Sequence, residues 1–429
     1  MVSLVTGGLK KEDISVSETI PDNSETTRFS FRSMFKGNLV VLGASNIARG
    51  FGSGLISAYM SLYFVGLGGS PLMLGVMIAS SSIIGAFMFL FGGVVADYYG
   101  RRAIVVTSAF YAGFFPLLYV FTLNWRLFVV LSLGAAIGSI STPASRALVV
   151  DSISPERRTT GIAVLQVVSS LPATFSPLVG GWLIQNYGLI DGFKLACVYT
   201  GATAFISAFI LLLFLRETLW YRQDSDMETS HLGKLKNVIR LRGLFPTGLK
   251  ALMLSYALIA FANAAVGPYY ILYASSIIGL TPLQWAPIAC IQSLSITLKI
   301  PGGWLSDKFG KRNVMIFSLL ACAPCTILFS LARSFFQTLV VAVLLIITGI
   351  YYAPAHEALQ ADFTPRRMRG RITALWQLSG AIFSAFGTLT GGFLFQVDPT
   401  TPFYLFTAAE LVSAVLLVSL VREPKRREI

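Results

Sequence analysis

Charge is what this sequence has least of. Only 12% of its 429 residues are charged, 55% are hydrophobic, and mean hydropathy is +0.70. So apolar a chain would precipitate from water, which excludes an ordinary soluble domain and leaves lipid as the solvent. No charge at all falls within 51–96 or within 159–190. Each stretch is too apolar for water and holds roughly one or two helices of about 20 residues. Histidine is nearly missing as well. Two of them, with no histidine-rich cluster and no phosphate-binding loop, leave no enzyme constellation, so no metal, cofactor or catalytic residue is expected. The short alternating segments of a membrane barrel are also missing. Residues 1–36 are polar and begin without an apolar h-region, so they read as a cytoplasmic tail rather than a signal peptide. The four cysteines, Cys197, Cys290, Cys322 and Cys325, all lie in apolar runs. Cys322-x-x-Cys325 has the spacing of a redox or metal pair but no acid or histidine beside it in the chain, and it reads as packing.

What is present is a series of twelve apolar runs, near 38–65, 71–96, 103–123, 127–150, 160–187, 193–215, 249–275, 283–306, 313–332, 335–361, 371–397 and 402–421. They predict an all-α membrane protein of twelve transmembrane helices. The expected divisions are a tail (1–37), a six-helix bundle (38–215), a linker (216–248), a second six-helix bundle (249–421) and a tail (422–429). With the N-terminus inside, the outer loops hold only Arg126, Lys194 and Arg333 of the 33 basic residues, and Arg49, Arg146 and Lys299 lie within helices. The remaining basic residues all fall on the inner side, so both termini are expected in the cytoplasm of a cell membrane. The net charge of +13 is spread over the inner segments with no aromatic platform. It therefore points to topology and anionic lipid head groups, and no nucleic-acid partner is expected. The linker carries a candidate amphipathic surface helix at 235–244.

The chain repeats itself. Gly92-Gly93-x-x-x-Asp97-x-x-Gly100-Arg101-Arg102 returns 210 positions later as Gly302-Gly303-x-x-x-Asp307-x-x-Gly310-Lys311-Arg312. Pro143-Ala-Ser-Arg146-Ala-Leu-Val-Val-Asp151 matches Pro354-Ala-His-Glu357-Ala-Leu-Gln-Ala-Asp362, and Gly180-Gly181 matches Gly391-Gly392. This is a duplicated helical unit. On these motifs the chain resembles the major facilitator superfamily from about 39 to 421, through the loop pattern Gly-x-x-x-Asp-x-x-Gly-Arg-[Arg/Lys]. The resemblance implies two six-helix bundles, a cavity between them near the bilayer midplane, and alternating access by rocking of the bundles.

Gly93 and Asp97 are four apart, on one helix face. A neighbouring helix can approach the glycine while the carboxylate caps that helix and pairs with Arg101. Asp151 is the third member of the relay. The resemblance implies that the set, with Gly100, latches the inner gate in the outward-open state, and that Asp307, Gly310, Lys311 and Asp362 repeat it. Plain anchoring of a loop is the simpler alternative. In the fifth run Pro172 and Ser176-Pro177-Leu-Val-Gly180-Gly181 resemble the Gly-Pro-x-x-Gly-Gly signature of exporters and antiporters of this superfamily, with serine in place of the first glycine.

Arg49, between Asn46 and Gly50, lies about half-way along the first run. Ionisable residues at such depth are rare and usually functional. The fourth run, 127–150, offers it no acid. Either an anionic substrate group, or backbone carbonyls and a distant acid, must then compensate it. Arg146 and Glu357 are repeat equivalents of opposite sign and could bridge the bundles. Lys299 could instead pair with Glu357, which is also the candidate proton site. Glu410 is expected to be structural. Asn46, Asn263, Tyr269, Tyr270, Tyr273, Gln166, Gln292, Tyr352, Trp376 and Gln377 are the other candidate substrate-binding, cavity-lining residues, a set that suits ring-bearing amphiphiles, with core packing as the alternative for each.

These readings point to a secondary active transporter, expected as a monomer. Its expected activity is efflux of a small drug or metabolite in exchange for protons. A facilitator or symporter of an organic anion is the alternative, and a non-transporting receptor or lipid scramblase is an alternative of another class.

Overall fold

In hydrocarbon a backbone N–H has no partner but a carbonyl of its own chain, so each apolar run closes into a helix. The computed structural model describes residues 37–153, 158–218, 247–294, 299–364 and 369–421, and among them there is no strand. The helices are α1 (Asn38–Ser57, continued as Met60–Gly66), α2 (Pro71–Tyr99), α3 (Arg101–Tyr119), α4 (Trp125–Asp151), α5 (Arg158–Tyr187) and α6 (Leu189–Phe214). The second half supplies α7 (Thr247–Ser276), α8 (described as Pro282–Leu294 and Lys299–Phe309), α9 (Lys311–Leu331), α10 (Phe335–Phe363), α11 (Arg369–Val397) and α12 (Thr401–Leu420). Eleven described helices are long and apolar enough to cross a membrane, and the two described pieces of α8 are each shorter than such a span. The expected tails, the linker helix at 235–244 and the side chain of Lys299 lie outside the described residues.

The ends of the helices are written locally. Ser70, Asn124 and Ser334 accept the backbone N–H of Met73, Leu127 and Gln337, satisfying first-turn donors of α2, α4 and α10. Proline opens α2, α8 and α12 within the first two positions, where a missing N–H costs nothing. Inside α7 the turn at Gly267–Tyr269 tightens to a 3-10 form around Pro268.

Both halves pack alike. α1 lies against α5 and α6, and α7 lies against α11 and α12. The halves meet along two seams, α2 with α11 and α5 with α8. One face of the molecule carries the two glycine turns, after α2 and after α8, and will be called the turn face. The other is the far face. A single buried cluster on the far side draws on both halves, including Tyr59, Tyr63, Phe64, Phe128, Tyr269, Tyr273, Trp285 and Phe403. Toward the turn face the core divides in two. Leu42, Val105, Ala109 and Leu148 belong to a first-half cluster, and Leu252, Met315, Leu359 and Trp376 to a second-half one. The halves are therefore joined at the far face and separate toward the turn face. Large apolar side chains such as Phe87, Phe91, Leu213 and Phe336 point outward and exposed, as expected of surfaces wetted by lipid tails.

Candidate functional site

At the turn after α2, Gly100 has φ +91° and ψ 142°, and Gly310 after α8 has φ +88° and ψ 136°. That region is almost closed to residues with a Cβ, which is why both copies of the motif need glycine there. The next residue in each copy is a base paired with an acid at the end of a helix of its own half: Arg101 with Asp151 of α4, and Lys311 with Asp362 of α10. These are the only two ion pairs among the described residues. The following arginines do something the sequence did not reveal. Arg102 donates to the carbonyl of Leu212 at 2.9 Å, and Arg312 to those of Leu417 and Val418 at 3.0 and 2.5 Å. Each thus satisfies orphan carbonyls at the end of α6 or α12.

Two expectations about this turn need correction. Asp97 does not pair with Arg101, which turns to Asp151 instead. Asp97 and Asp307 are exposed and in no ion pair among the described residues. The cap on the first turn of α3 comes from Glu217, whose carboxylate accepts the backbone N–H of Arg102 at 2.9 Å. Nor is Gly93 the close-packing glycine here. A Cβ on Gly93 would meet nothing within 4 Å, whereas one on Gly92 would lie 2.1 Å from the carbonyl oxygen of Ile140 in α4.

Two cavities occupy the separated side of the halves. The first, about 530 Å³, is lined by Asn46 and Arg49 of α1, Ser141, Ser145 and Arg146 of α4, and Gln166 of α5, with an apolar wall that includes Leu42, Val105 and Leu165. The second, about 420 Å³, is lined by Tyr256 and Asn263 of α7, Tyr352, His356, Glu357 and Gln360 of α10, and Trp376 and Gln377 of α11. The repeat relates them. An offset of 210 carries Asn46 to Tyr256 and Arg49 to Ile259, and 211 carries Arg146 to Glu357 and Gln166 to Gln377. The two cavities differ most in charge: the first is lined by two arginines and no acid, the second by Glu357 and no arginine or lysine.

In the second cavity His356 stacks on Tyr256 and Tyr352, with ring centroids 5.0 and 5.7 Å away, and meets the edge of Trp376 at 5.1 Å. His356 Nε2 and Trp376 Nε1 are buried without a hydrogen-bond partner, a costly arrangement in an apolar setting. Sequence reasoning gave His356 no role and missed Tyr256, although applying the repeat offset to Asn46 would have found the tyrosine.

Of the sequence candidates, Asn46, Arg49, Gln166, Asn263, Tyr352, Glu357, Trp376 and Gln377 line one cavity or the other. Gln292 is exposed but lines neither. The tyrosines of α7 are corrected outright. Tyr273 is fully buried and donates to the carbonyl of Ser330 at 2.6 Å, and Tyr270 packs edge-on against Phe329 and Phe403. Tyr269 is also fully buried, stacked on Phe395. Arg146 and Glu357 do not bridge the halves; Arg146 lies over the ring of Phe89, 5.6 Å from its centroid. Glu410 is only 2% exposed, within α12.

Tyr269 belongs to the far-face seam, which is built twice. Its hydroxyl is shared between Thr388 O of its own half at 2.9 Å and Pro71 O of the other half at 3.4 Å. Tyr59 is likewise shared between Pro177 O at 2.8 Å and Pro282 O at 3.2 Å. One hydroxyl proton cannot fully satisfy two acceptors, so the arm across the halves is the weaker. Separation of the far face would break that arm and leave the hydroxyl still bonded within its own half. The glycine pairs divide in the same way. A Cβ on Gly180 would lie 2.5 Å from Leu55 O and one on Gly391 2.1 Å from Ala265 O, both within a half. A Cβ on Gly181 would lie 2.8 Å from Pro282 O and one on Gly392 2.6 Å from Pro71 O, both across the seam.

The sequence model of the Major Facilitator Superfamily matches residues 42–297 and 252–429. The multidrug resistance protein MdtH of Salmonella arizonae is 27% identical over 344 residues, covering 80% of this chain and 82% of its own. MdtH of Klebsiella pneumoniae is 25% identical over 377 residues, covering 83% and 88%. Among solved structures, the nucleoside transporter NupG superposes with a TM-score of 0.71 at 13% identity, over 90% of this chain and all of that one. A bacterial homologue of the human lysosomal transporter Spinster, inward-facing and unoccupied, gives 0.67 at 18% identity, over 89% and 94%. With the superfamily's sequence model spanning both repeats and its fold reproduced throughout, the chain belongs to the major facilitator superfamily.

Proposed function

We propose that this protein is a secondary active exporter that moves drug-like or metabolite solutes out of the cytoplasm in exchange for protons, and that the structure describes its inward-facing state. It is a transporter rather than an enzyme. The observation that carries the reading is the division of the core: one cluster joins both halves at the far face, while toward the turn face the halves keep separate clusters and hold the two polar cavities. The multidrug names of the MdtH relatives support a drug-like cargo. In alternating access the rocking halves would open the far-face seams of Tyr59, Tyr269, Gly181 and Gly392 as the turn face closes.

Two faces need an orientation. The bias of Lys and Arg in the sequence toward the segments on the turn-face side of the helices supports a cytoplasmic turn face, linker and termini. A cysteine at Ser225 in the linker should label only from the cytoplasmic side. Leu123→Cys, at a far-face position 83% exposed, should label only from outside. Labelling of both from the same side would refute the topology.

Glu357 is the proposed proton site. It is the acid that lines the second cavity, beside the titratable Tyr256, Tyr352 and His356. In proteoliposomes the wild type should drive a solute against its gradient when an opposing proton gradient is imposed. Glu357→Gln should retain downhill movement and lose this response. A variant that still concentrates solute under a proton gradient removes Glu357 from the mechanism. A second reading, a facilitator or symporter of an organic anion, is favoured by the acid-free cavity around Arg49. The same vesicles separate the readings, since a facilitator ignores the proton gradient and a symporter follows it.

A further inference from the structure

The first cavity carries a charge that nothing in it answers. Arg49 sits half-way along α1, exposed into the cavity, and has neither an ion pair nor a hydrogen bond to any described residue. Asn46, one turn before it, and Gln166 on α5 also line the cavity with side-chain amides that bond to no described group. The other cation, Arg146, is turned onto the ring of Phe89. The rest of the lining is hydroxyl and hydrocarbon: Ser45 is already bonded to Ser207 at 2.6 Å, Ser169 to Leu165 O at 2.6 Å, and Leu42, Val105 and Leu165 form apolar wall.

A guanidinium at membrane depth costs about 2.5–3.5 kcal/mol on insertion scales unless something compensates it, and such groups persist where they serve a ligand or pathway. A guanidinium flanked by two free amides is a donor-rich fork suited to a carboxylate, sulfonate or phosphate. The apolar wall beside it suits a hydrocarbon or ring body. The repeat shows that the fold itself does not require this charge, because the position equivalent to Arg49 in the second half is Ile259.

We propose that the first cavity is an organic-anion site, in which Arg49 binds the anionic group of an amphiphilic substrate and Asn46 and Gln166 hold its remaining oxygens. The assignment names the substrate class of the transporter proposed above and rests on that reading only for the step of moving the substrate, since binding can be measured without transport.

The test uses three probes that share one ring system and differ in charge: naphthylacetate, naphthylethanol and naphthylethylammonium. Equilibrium binding to the purified full-length protein in lipid nanodiscs should rank the anion about tenfold or more above the neutral and cationic probes. Arg49→Gln should abolish that preference, bringing the anion down to the affinity of the neutral probe. Arg49→Lys, which keeps the charge and loses the planar fork, should fall between them. If Arg49→Gln does not yield folded protein, the wild-type ranking and Arg49→Lys still decide. Equal binding of the three probes, a preference for the cation, or wild-type anion binding by either variant overturns the assignment. Efflux of a cationic dye by wild-type vesicles together with no anion preference would sink the site and leave the transporter standing. Tight Arg49-dependent anion binding without movement of any solute would do the reverse.

Discussion

Gly181→Ala and Gly392→Ala should each hold the far face open and cut transport, with little loss of thermal stability. The added methyl carbon would lie 2.8 Å from Pro282 O in the first case and 2.6 Å from Pro71 O in the second. Both acceptors are backbone carbonyls of the opposite half, at the first residue of α8 and of α2, and cannot swing aside as a side chain could. The same methyl would lie 2.5 Å from Tyr59 Oη in the first case and 2.7 Å from Tyr269 Oη in the second, but these are the ends of side chains and can turn. The fixed carbonyls are relieved by parting the halves at the seam. Overpacking of this kind costs about 1–3 kcal/mol, enough to shift a two-state equilibrium by about 5–150-fold. The neighbouring glycines provide the control. Gly180→Ala and Gly391→Ala would clash with Leu55 O and Ala265 O inside one half, so they should lower the melting temperature rather than bias the state. Spin labels at Leu123 and Phe336, exposed far-face positions of opposite halves, read the separation. A Gly181→Ala protein with wild-type transport and an unchanged label distance would remove the seam from the gating account.

Asp97→Asn should leave the described state intact and lower transport by about tenfold or more. In this state Asp97 is exposed and in no ion pair among the described residues, while Arg101 is held by Asp151. Losing its charge therefore removes nothing from the conformation with a closed far face. If the carboxylate instead caps a helix N-terminus of the other half when the turn face closes, an amide supplies only a weaker, uncharged acceptor. The variant would then be trapped as it stands here, with a normal melting temperature, a Leu123–Phe336 distance no longer than that of the wild type, and slow turnover. Asp307→Asn should have the same or a smaller effect, since Lys311 makes the second copy the looser match to the motif. Asp151→Asn differs in kind, because it breaks an ion pair already formed. Full transport by a folded Asp97→Asn protein would refute the latch.

How much of this could be read beforehand depended on whether the controlling free energy was local. Hydropathy is a property of each residue against lipid, so spans such as 71–96 and 335–361 differ from the observed Pro71–Tyr99 and Phe335–Phe363 only at their ends. The repeat located Gly100 and Gly310 because a backbone with positive φ states its own requirement for glycine. Arg49 was legible for the same reason, since a guanidinium at membrane depth is costly wherever it points.

The choice of neighbour is another matter. α7 is apolar on every side, and lipid tails are as apolar as a protein core, so no hydrophobic preference states which face turns inward. That is why Tyr269, Tyr270 and Tyr273 looked like cavity residues, whereas Tyr269 and Tyr273 are buried in the far-face core and Tyr270 packs against it. The same indifference concealed which glycine of each Gly-Gly pair faces the other half, and that Arg101 would choose Asp151 over Asp97. The sequence by itself determined the spans, the glycine turns and the depth of the buried charge, because each is set by a residue's own exchange with lipid or its own backbone. Only the tertiary structure decided the seams, the ion pairs and the division into two unlike cavities, because those arise from helix faces meeting where lipid and protein are equally good solvents.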